Sequence, residues 1–238
     1  MSFESDMLLS LLKRGRVAAV AGKKAHRGKL AGLDVLLVNT GIGKVNAAHA
    51  VTAVVENVPA DKIITIGVGG AYPGSGLGPG DVAVATMEIS GDDGVITSEG
   101  WKDMQEIGIP TLQKGEKKYF NAFPLSALSK SFLKANIHRG IQIRSGPFIT
   151  VGAATGTQKR AMELEKRFGG ICENMEGAAI AQVCAIYGIP MAEIRGISNI
   201  AGIRDRRKWK LKEAAENCQQ TVLRMLEFDQ LLFISRCT

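Results

Sequence analysis

The chain has 238 residues, 45% of them hydrophobic and 22% charged, with a formal net charge of +7. That composition excludes disordered, collagen-like and disulfide-scaffold classes, and the length suits a single domain over residues 1–238 whose core needs no staples. No apolar run reaches the ~20 residues that span a bilayer, so a membrane helix is excluded and a cytoplasmic protein is expected.

Cys172, Cys184, Cys218 and Cys237 show no C-x-x-C spacing and follow no secretory leader, so they read as reduced, buried thiols. His26, His49 and His138 are too scattered to pair at i, i+4, and with no Cys/His cluster neither a metal nor a cofactor is expected. The positive charge is spread out, except for Arg204, Arg206, Arg207, Lys208, Lys210 and Lys212. That cluster reads as a solvated helix face rather than a nucleic-acid site.

The first predicted element is a helix over Met7–Leu12. A doubly wound fold carries a strand ahead of its first helix, and only Met1–Asp6 precede this one. The start is therefore expected to be truncated, or the sheet to be one strand short. Leu33–Asn39 predicts a strand, Lys44–Glu56 an alanine-rich helix and Lys62–Ile66 a second, buried strand. Gly67–Gly80 then reads as a glycine-rich loop, Asp81–Met87 as a strand and Gly140–Thr150 as an extended run. Thr157–Phe168 predicts a helix, Glu176–Tyr187 a helix closed by Gly188 and Pro190, Met191–Ile197 a strand, and Lys208–Leu232 a long final helix. Such alternation predicts an α/β protein of three layers, a twisted, mostly parallel mixed central sheet with helices on both faces.

Three segments carry candidate chemistry. Glycines at 67, 69 and 70 allow a ligand close to the backbone, though a tight connection would use them equally well. The stretch is neither a Walker A loop nor a G-x-G-x-x-G fingerprint. Glu173 and Glu176 stand at the start of an apolar helix, where a carboxylate is either a cap or a ligand. Ser198 and Asn199 follow a buried strand, where open α/β sheets bind ligands and where a turn asparagine is also ordinary.

Taken in order, Thr40–Ala48, Gly67–Gly70, N-M-E-G-A at 174–178 and R-G-I-S-N at 195–199 resemble the nucleoside phosphorylase and nucleosidase superfamily. Within it, Glu173–Ala178, Arg195–Asn199 and Gly202–Asp205 are most similar to the futalosine hydrolases. The resemblance spans about Glu4 to the final helix. It implies a nucleoside phosphorylase-like fold and cleavage of the bond between a purine and a ribose. Met175 and Glu176 would hold the ribose, and Phe148 would stack on the base while the Ile149 backbone reads its edge. Val68, Gly69 and Gly70 would line the sugar and the attacking water, which Glu4 would activate. Phe148, read from its residues alone, is rather a core aromatic.

At Asn199 and Ser198 the purine would be recognised. Adenine-specific members of the superfamily use aspartate at the Asn199 position, whereas an amide donates to a carbonyl or N7 and suits a 6-oxopurine such as the hypoxanthine of futalosine. Superfamily phosphorylases place an arginine ahead of the glycine stretch and a serine within it; here Thr65 and Ile66 precede Gly67, and Val68 is apolar. Water is therefore the expected nucleophile, no cofactor is implied, and a homo-oligomer is expected by analogy. The competing readings are a methylthioadenosine/S-adenosylhomocysteine nucleosidase, a phosphorylase and a non-catalytic nucleoside-binding protein.

Overall fold

A computed structural model describes residues 2–20, 22–125 and 140–236; His138 and Cys237 lie outside them. After a short turn, helix α1 (Asp6–Leu11) leads into strands β1 (Lys13–Val20), β2 (Lys23–Leu30) and β3 (Leu33–Val38), which form an antiparallel sheet of their own. The sequence reading assigns nothing to β1 and β2, because their lysines and arginines replace the apolar alternation that marks a strand. Helix α2 (Lys44–Asn57) and strand β4 (Ile63–Ala71) follow, then β5 (Val82–Ser90), and two small hairpins, β6 (Gly94–Thr97) with β7 (Gly100–Asp103) and β8 (Leu112–Lys114) with β9 (Lys117–Tyr119). The chain continues through β10 (Ala122–Pro124), β11 (Ile143–Thr150), α3 (Gln158–Phe168), β12 (Cys172–Asn174), α4 (Gly177–Tyr187), β13 (Met191–Ile200) and α5 (Leu211–Arg236).

The main sheet runs β10-β5-β11-β12-β4-β13 and is mixed, with β5–β11, β11–β12 and β4–β13 parallel. β13 also pairs antiparallel with β5, so five strands close into a ring. Helices cover both faces, as expected of an α/β fold. α4 is apolar on every side because it is buried between the sheet and α2, where Ile180, Ala181 and Cys184 meet Ala47, Val51 and Met191. On the other face Cys218, Val222, Met225 and Leu226 of α5 pack with Leu8, Val82, Val84 and Ile194. No helix among the described residues is long and apolar enough to cross a membrane.

Two boundaries differ from expectation, and both bear on the site. β4 continues through Gly67, Val68, Gly69 and Gly70, so these are strand residues and not a loop. Their glycines admit neighbouring side chains: a Cβ on Gly67 would lie 2.8 Å from Arg195 Nη1 and 3.0 Å from Glu4 Oε1. β13 likewise runs on to Ile200, and a register shift between Ile197 and Asn199 marks an irregularity that re-aims Ser198 and Asn199.

The 204–212 cluster is not one helix face. Arg206–Lys208 form a single 3-10 turn in which Arg207 pairs with Asp205, and Arg204 and Arg206 lie over the Trp209 ring.

Gly196 is where α5 meets β13 most closely, since a Cβ there would overlap the Ala214 carbonyl oxygen. Gly196→Ala is expected to force α5 off the sheet at a cost of about 1–3 kcal/mol. A melting temperature unchanged from the wild type would show that α5 has room to yield.

Candidate active site

The polar side chains of the sheet converge at the carboxyl ends of β4 and β13, the position at which α/β sheets bind ligands. Glu176 occupies the N-cap of α4 but makes no capping hydrogen bond. Its Oε1 instead accepts from the Gly43 N–H at 2.9 Å, and its Oε2 faces Arg195 Nη2 at 3.3 Å. The sequence left cap and ligand open for this carboxylate, and the geometry removes the cap.

Arg195 is 4% exposed and is the hub of the site. Nε donates to Glu193 Oε1 at 2.8 Å and Nη1 to the Val68 carbonyl at 3.3 Å. Burial works against its charge, but the Glu193 and Glu176 carboxylates outweigh that and raise its pKa. The guanidinium is therefore a permanent cation at the floor of the site.

Glu4 reaches the same place from the chain start. Its Oε1 accepts from the Val68 N–H at 3.0 Å. Gln219 of α5 holds the residues on either side of it. The buried Gln219 amide donates to the Phe3 carbonyl at 3.1 Å and accepts from Met7 N–H at 3.0 Å and Leu8 N–H at 3.2 Å.

On β13 the Ser198 hydroxyl lies 2.7 Å from Asn199 Oδ1 and 3.1 Å from the Gly69 carbonyl. Asn199 Nδ2 donates to the Ile200 carbonyl at 3.1 Å. Nδ2 also lies 3.4 Å from where a Gly70 Cβ would stand. Met175, half-buried, sits between β12 and α4 next to Glu176. The structure thus brings Glu4, Val68, Gly69, Gly70, Met175, Glu176, Ser198 and Asn199 to one end of the sheet. Beside Gly43, the Lys44 ammonium bridges Ser90, Asp92 and Asp93 and pins the start of α2.

Phe148 and Ile149 lie deeper than the expected base contact. Phe148 is 0% exposed and packs with Ala71, Ala83, Ala85, Cys172 and Ile197, small side chains from the other strands of the ring. It fills the interior of that ring as small closed sheets require, so its ring has no open face for a base. Ile149 is equally buried among Tyr72, Val151, Ala161 and Leu164, and its strand is paired on both sides at that residue.

Behind the site lies a group of buried acids. Glu173, a strand residue rather than a cap, accepts from Thr155 and from the Tyr72 hydroxyl. Glu88 accepts from Thr150 Oγ1 and Asn174 Nδ2, both at 2.7 Å. Burial, and then the charge of Glu193, push the Glu88 carboxyl well above its ordinary range. A carboxyl raised in the folded state contributes stability that is whole below its unfolded pKa and is lost as pH rises through its folded one. Unfolding free energy is accordingly expected to fall by about 1.4 kcal/mol per pH unit from this group alone above the glutamate range. Urea titrations of wild type and Glu88→Gln at several pH values check this, and equal slopes in both proteins would remove it.

The sequence profile described as the phosphorylase superfamily matches residues 1–227. The chain belongs to this superfamily. It is 38% identical over 202 residues to the futalosine hydrolase of Thermus thermophilus, covering 85% of each chain. It is 31% identical over 230 residues to the 5'-methylthioadenosine/S-adenosylhomocysteine nucleosidase of Bacillus thuringiensis, covering 95% of each. Among solved structures, the adenine complex of the Colwellia psychrerythraea nucleosidase of that name matches with a TM-score of 0.82 at 28% identity, over 96% of this chain and 92% of that one. The methylthio-immucillin-A complex of the Neisseria meningitidis enzyme matches with a TM-score of 0.80 at 26% identity, over 95% of each.

For this superfamily member, sequence reasoning missed Glu88, Glu193, Thr150 and Asn174 as the buried layer behind the site, and gave Arg195 no role. A signal existed. Glu193 and Arg195 interrupt the apolar run of β13, and Glu88 interrupts β5. A charge inside a buried strand requires a partner across the sheet. Among the described residues no group of three His, Cys, Asp or Glu could hold a metal.

Proposed function

We propose that this chain hydrolyses the N-glycosidic bond of futalosine, releasing hypoxanthine and dehypoxanthine futalosine, a step of menaquinone biosynthesis. The observation that carries this reading is the state of Asn199. Its amide oxygen is engaged by the Ser198 hydroxyl at 2.7 Å and one amide hydrogen by the Ile200 carbonyl at 3.1 Å, which leaves the second amide hydrogen as the group to offer a ligand. A donor at that point matches the acceptors of a 6-oxopurine and mismatches the amine of adenine. The 38% identity to a futalosine hydrolase supports the same substrate.

Support for water over phosphate comes from Glu4. Its carboxylate takes the Val68 N–H, and a second anion beside it would be repelled. In the reaction, Glu4 accepts a proton from water as the water oxygen bonds to C1′. The C1′–N bond breaks with its electron pair leaving on the purine, which Asn199 supports by donating to it and which then takes a proton from solvent. Glu176, hydrogen-bonded to the sugar hydroxyls beside Met175, supports the positive charge that develops on the ribose. Val68, Gly69 and Gly70 line the sugar and the water with backbone groups. The same reading makes the protein a cytoplasmic homo-oligomer that acts on a small nucleoside and water without a cofactor.

A second reading, methylthioadenosine/S-adenosylhomocysteine hydrolysis, is favoured by 31% identity over 95% of the chain. Incubation with futalosine, methylthioadenosine, S-adenosylhomocysteine and inosine, with and without phosphate, separates the two. Phosphate-independent release of hypoxanthine from futalosine is expected; adenine release without any hypoxanthine would transfer the assignment to the second reading.

Asn199→Asp replaces the donor by an acceptor. The mismatch costs about 1–3 kcal/mol, so kcat/KM on the 6-oxopurine substrate is expected to fall about tenfold or more while 6-aminopurine nucleosides gain relative to it. An unchanged preference between the two bases would refute the assignment of Asn199.

A further inference from the structure

Beneath the start of α4, two carboxyl groups are packed against each other. A Cβ on Gly177 would collide with both Glu88 Oε1 and Glu193 Oε2, so the two oxygens crowd one point. Both residues are 0% exposed. Glu193 Oε2 finds no donor among the described residues, and neither does the buried Thr65 hydroxyl, which belongs to the residue registered opposite Glu193 on β4. Two ionised carboxylates in this buried position would repel each other. A single proton between them removes the repulsion and supplies the donor that Glu193 Oε2 lacks.

The pair is tied to Glu176 by two routes. Through the side chains, Glu193 Oε1 holds Arg195 Nε at 2.8 Å, and Arg195 Nη2 faces Glu176 Oε2 at 3.3 Å. Through the backbone, Glu88 Oε1 holds Asn174 Nδ2, and Asn174 Oδ1 accepts from the Glu176 and Gly177 N–H groups at 2.9 and 2.7 Å. Thr150 Oγ1 adds a bond to the Ala178 N–H at 2.8 Å. The ionisable groups facing the pair are Arg195 on β13, Glu176 ahead of α4, Cys172 on β12 and, past Gly67, Glu4 at the chain start. Arg195 is the one cation among them. With one proton on the pair, Glu193 offsets Arg195 and Glu176 keeps its full negative charge for the sugar.

We infer that Glu88 and Glu193 share one proton and that this acid pair is a positioning unit, which sets the place and the charge of Glu176 through Arg195 and Asn174. Neither residue touches the substrate. The inference rests on the role given to Glu176 above. Glutamine at 88 keeps the pair at a single negative charge, because its amide nitrogen can donate to Glu193 while its amide oxygen accepts from Thr150 Oγ1; alanine does neither.

The test compares wild type, Glu88→Gln and Glu88→Ala by infrared spectroscopy at neutral pH and by kcat and KM on whichever nucleoside is turned over. Wild type is expected to show the carbonyl band of a protonated carboxylic acid, and Glu88→Gln to lack it. Glu88→Ala is expected to lose about tenfold or more in kcat with KM changed less than about threefold, and Glu88→Gln to recover kcat to within about threefold of wild type. Absence of the band from wild type, its persistence in Glu88→Gln, a glutamine variant as slow as the alanine one, or an alanine variant as fast as wild type would each overturn the inference. The infrared arm needs only wild type and Glu88→Gln and no substrate, so it decides even where Glu88→Ala does not fold, and it stands apart from any failure of the futalosine assignment.

Discussion

Glu176→Gln is expected to lower kcat by about two orders of magnitude, the scale on which a preorganised group aimed at developing charge contributes, while the protein stays folded. The fold survives because Arg195, which loses one carboxylate, keeps the other: Glu193 still holds its Nε at 2.8 Å. The glutamine oxygen can still accept from the Gly43 N–H, so the turn before α2 keeps its anchor. What disappears is the negative charge facing the ribose, and the amide nitrogen now meets the donors of Arg195. KM should change far less than kcat, since an interaction that strengthens with the cation acts chiefly on the transition state. A variant with near-wild-type kcat would reduce Glu176 to a link between Gly43 and Arg195.

The largest effect on stability is expected from Arg195→Met. Methionine fills a similar volume but leaves the buried Glu193 and the half-buried Glu176 without their cation, the first of them beside Glu88. Breaking a buried ion pair from one side typically costs about 3–5 kcal/mol, which in a chain of this size is a fall of roughly 10 °C in melting temperature. Urea denaturation reads the loss directly, and a decrease under about 1 kcal/mol would mean that the carboxylates have found other partners. The paired variant Arg195→Met with Glu193→Gln should recover part of the loss, because it removes the orphaned charge instead of leaving it in place.

These two residues also show how far the sequence could be read. Glu176 was visible as a candidate because a carboxylate opening an apolar helix is conspicuous, but its choice between cap and ligand depended on Gly43, 133 positions away in the chain. Arg195 was part of a recognised motif yet had no role, since its partners Glu193 and Val68 are fixed by the register of β13 against β4. Periodicity placed the helices well: α2 and α3 begin and end within a residue or so of the expected limits, and Thr157 caps α3 by accepting from the Arg160 N–H. Glycine misled the reading at 67–70, because the residue that breaks a strand in solution-facing sequence is the one that permits close packing within a sheet. Phe148 lies deeper than expected for a related reason. Closure of the five strands into a ring arises from the β5–β13 pairing, a long-range contact that leaves no local pattern.

That closure divides the site into parts that can and cannot move. β13 carries Arg195, Ser198 and Asn199 and is hydrogen-bonded to β4 along its length and to β5 across Ile194–Gly196. A strand clamped on both flanks opens only with the whole ring, so these residues belong to the region that exchanges its amide hydrogens last. Gly43 comes from a turn outside the ring and reaches the site through one hydrogen bond to Glu176. If the site breathes to admit and release a ligand, the seam runs between Gly43 and Glu176, and the charge network on the other side of that seam stays assembled through each cycle.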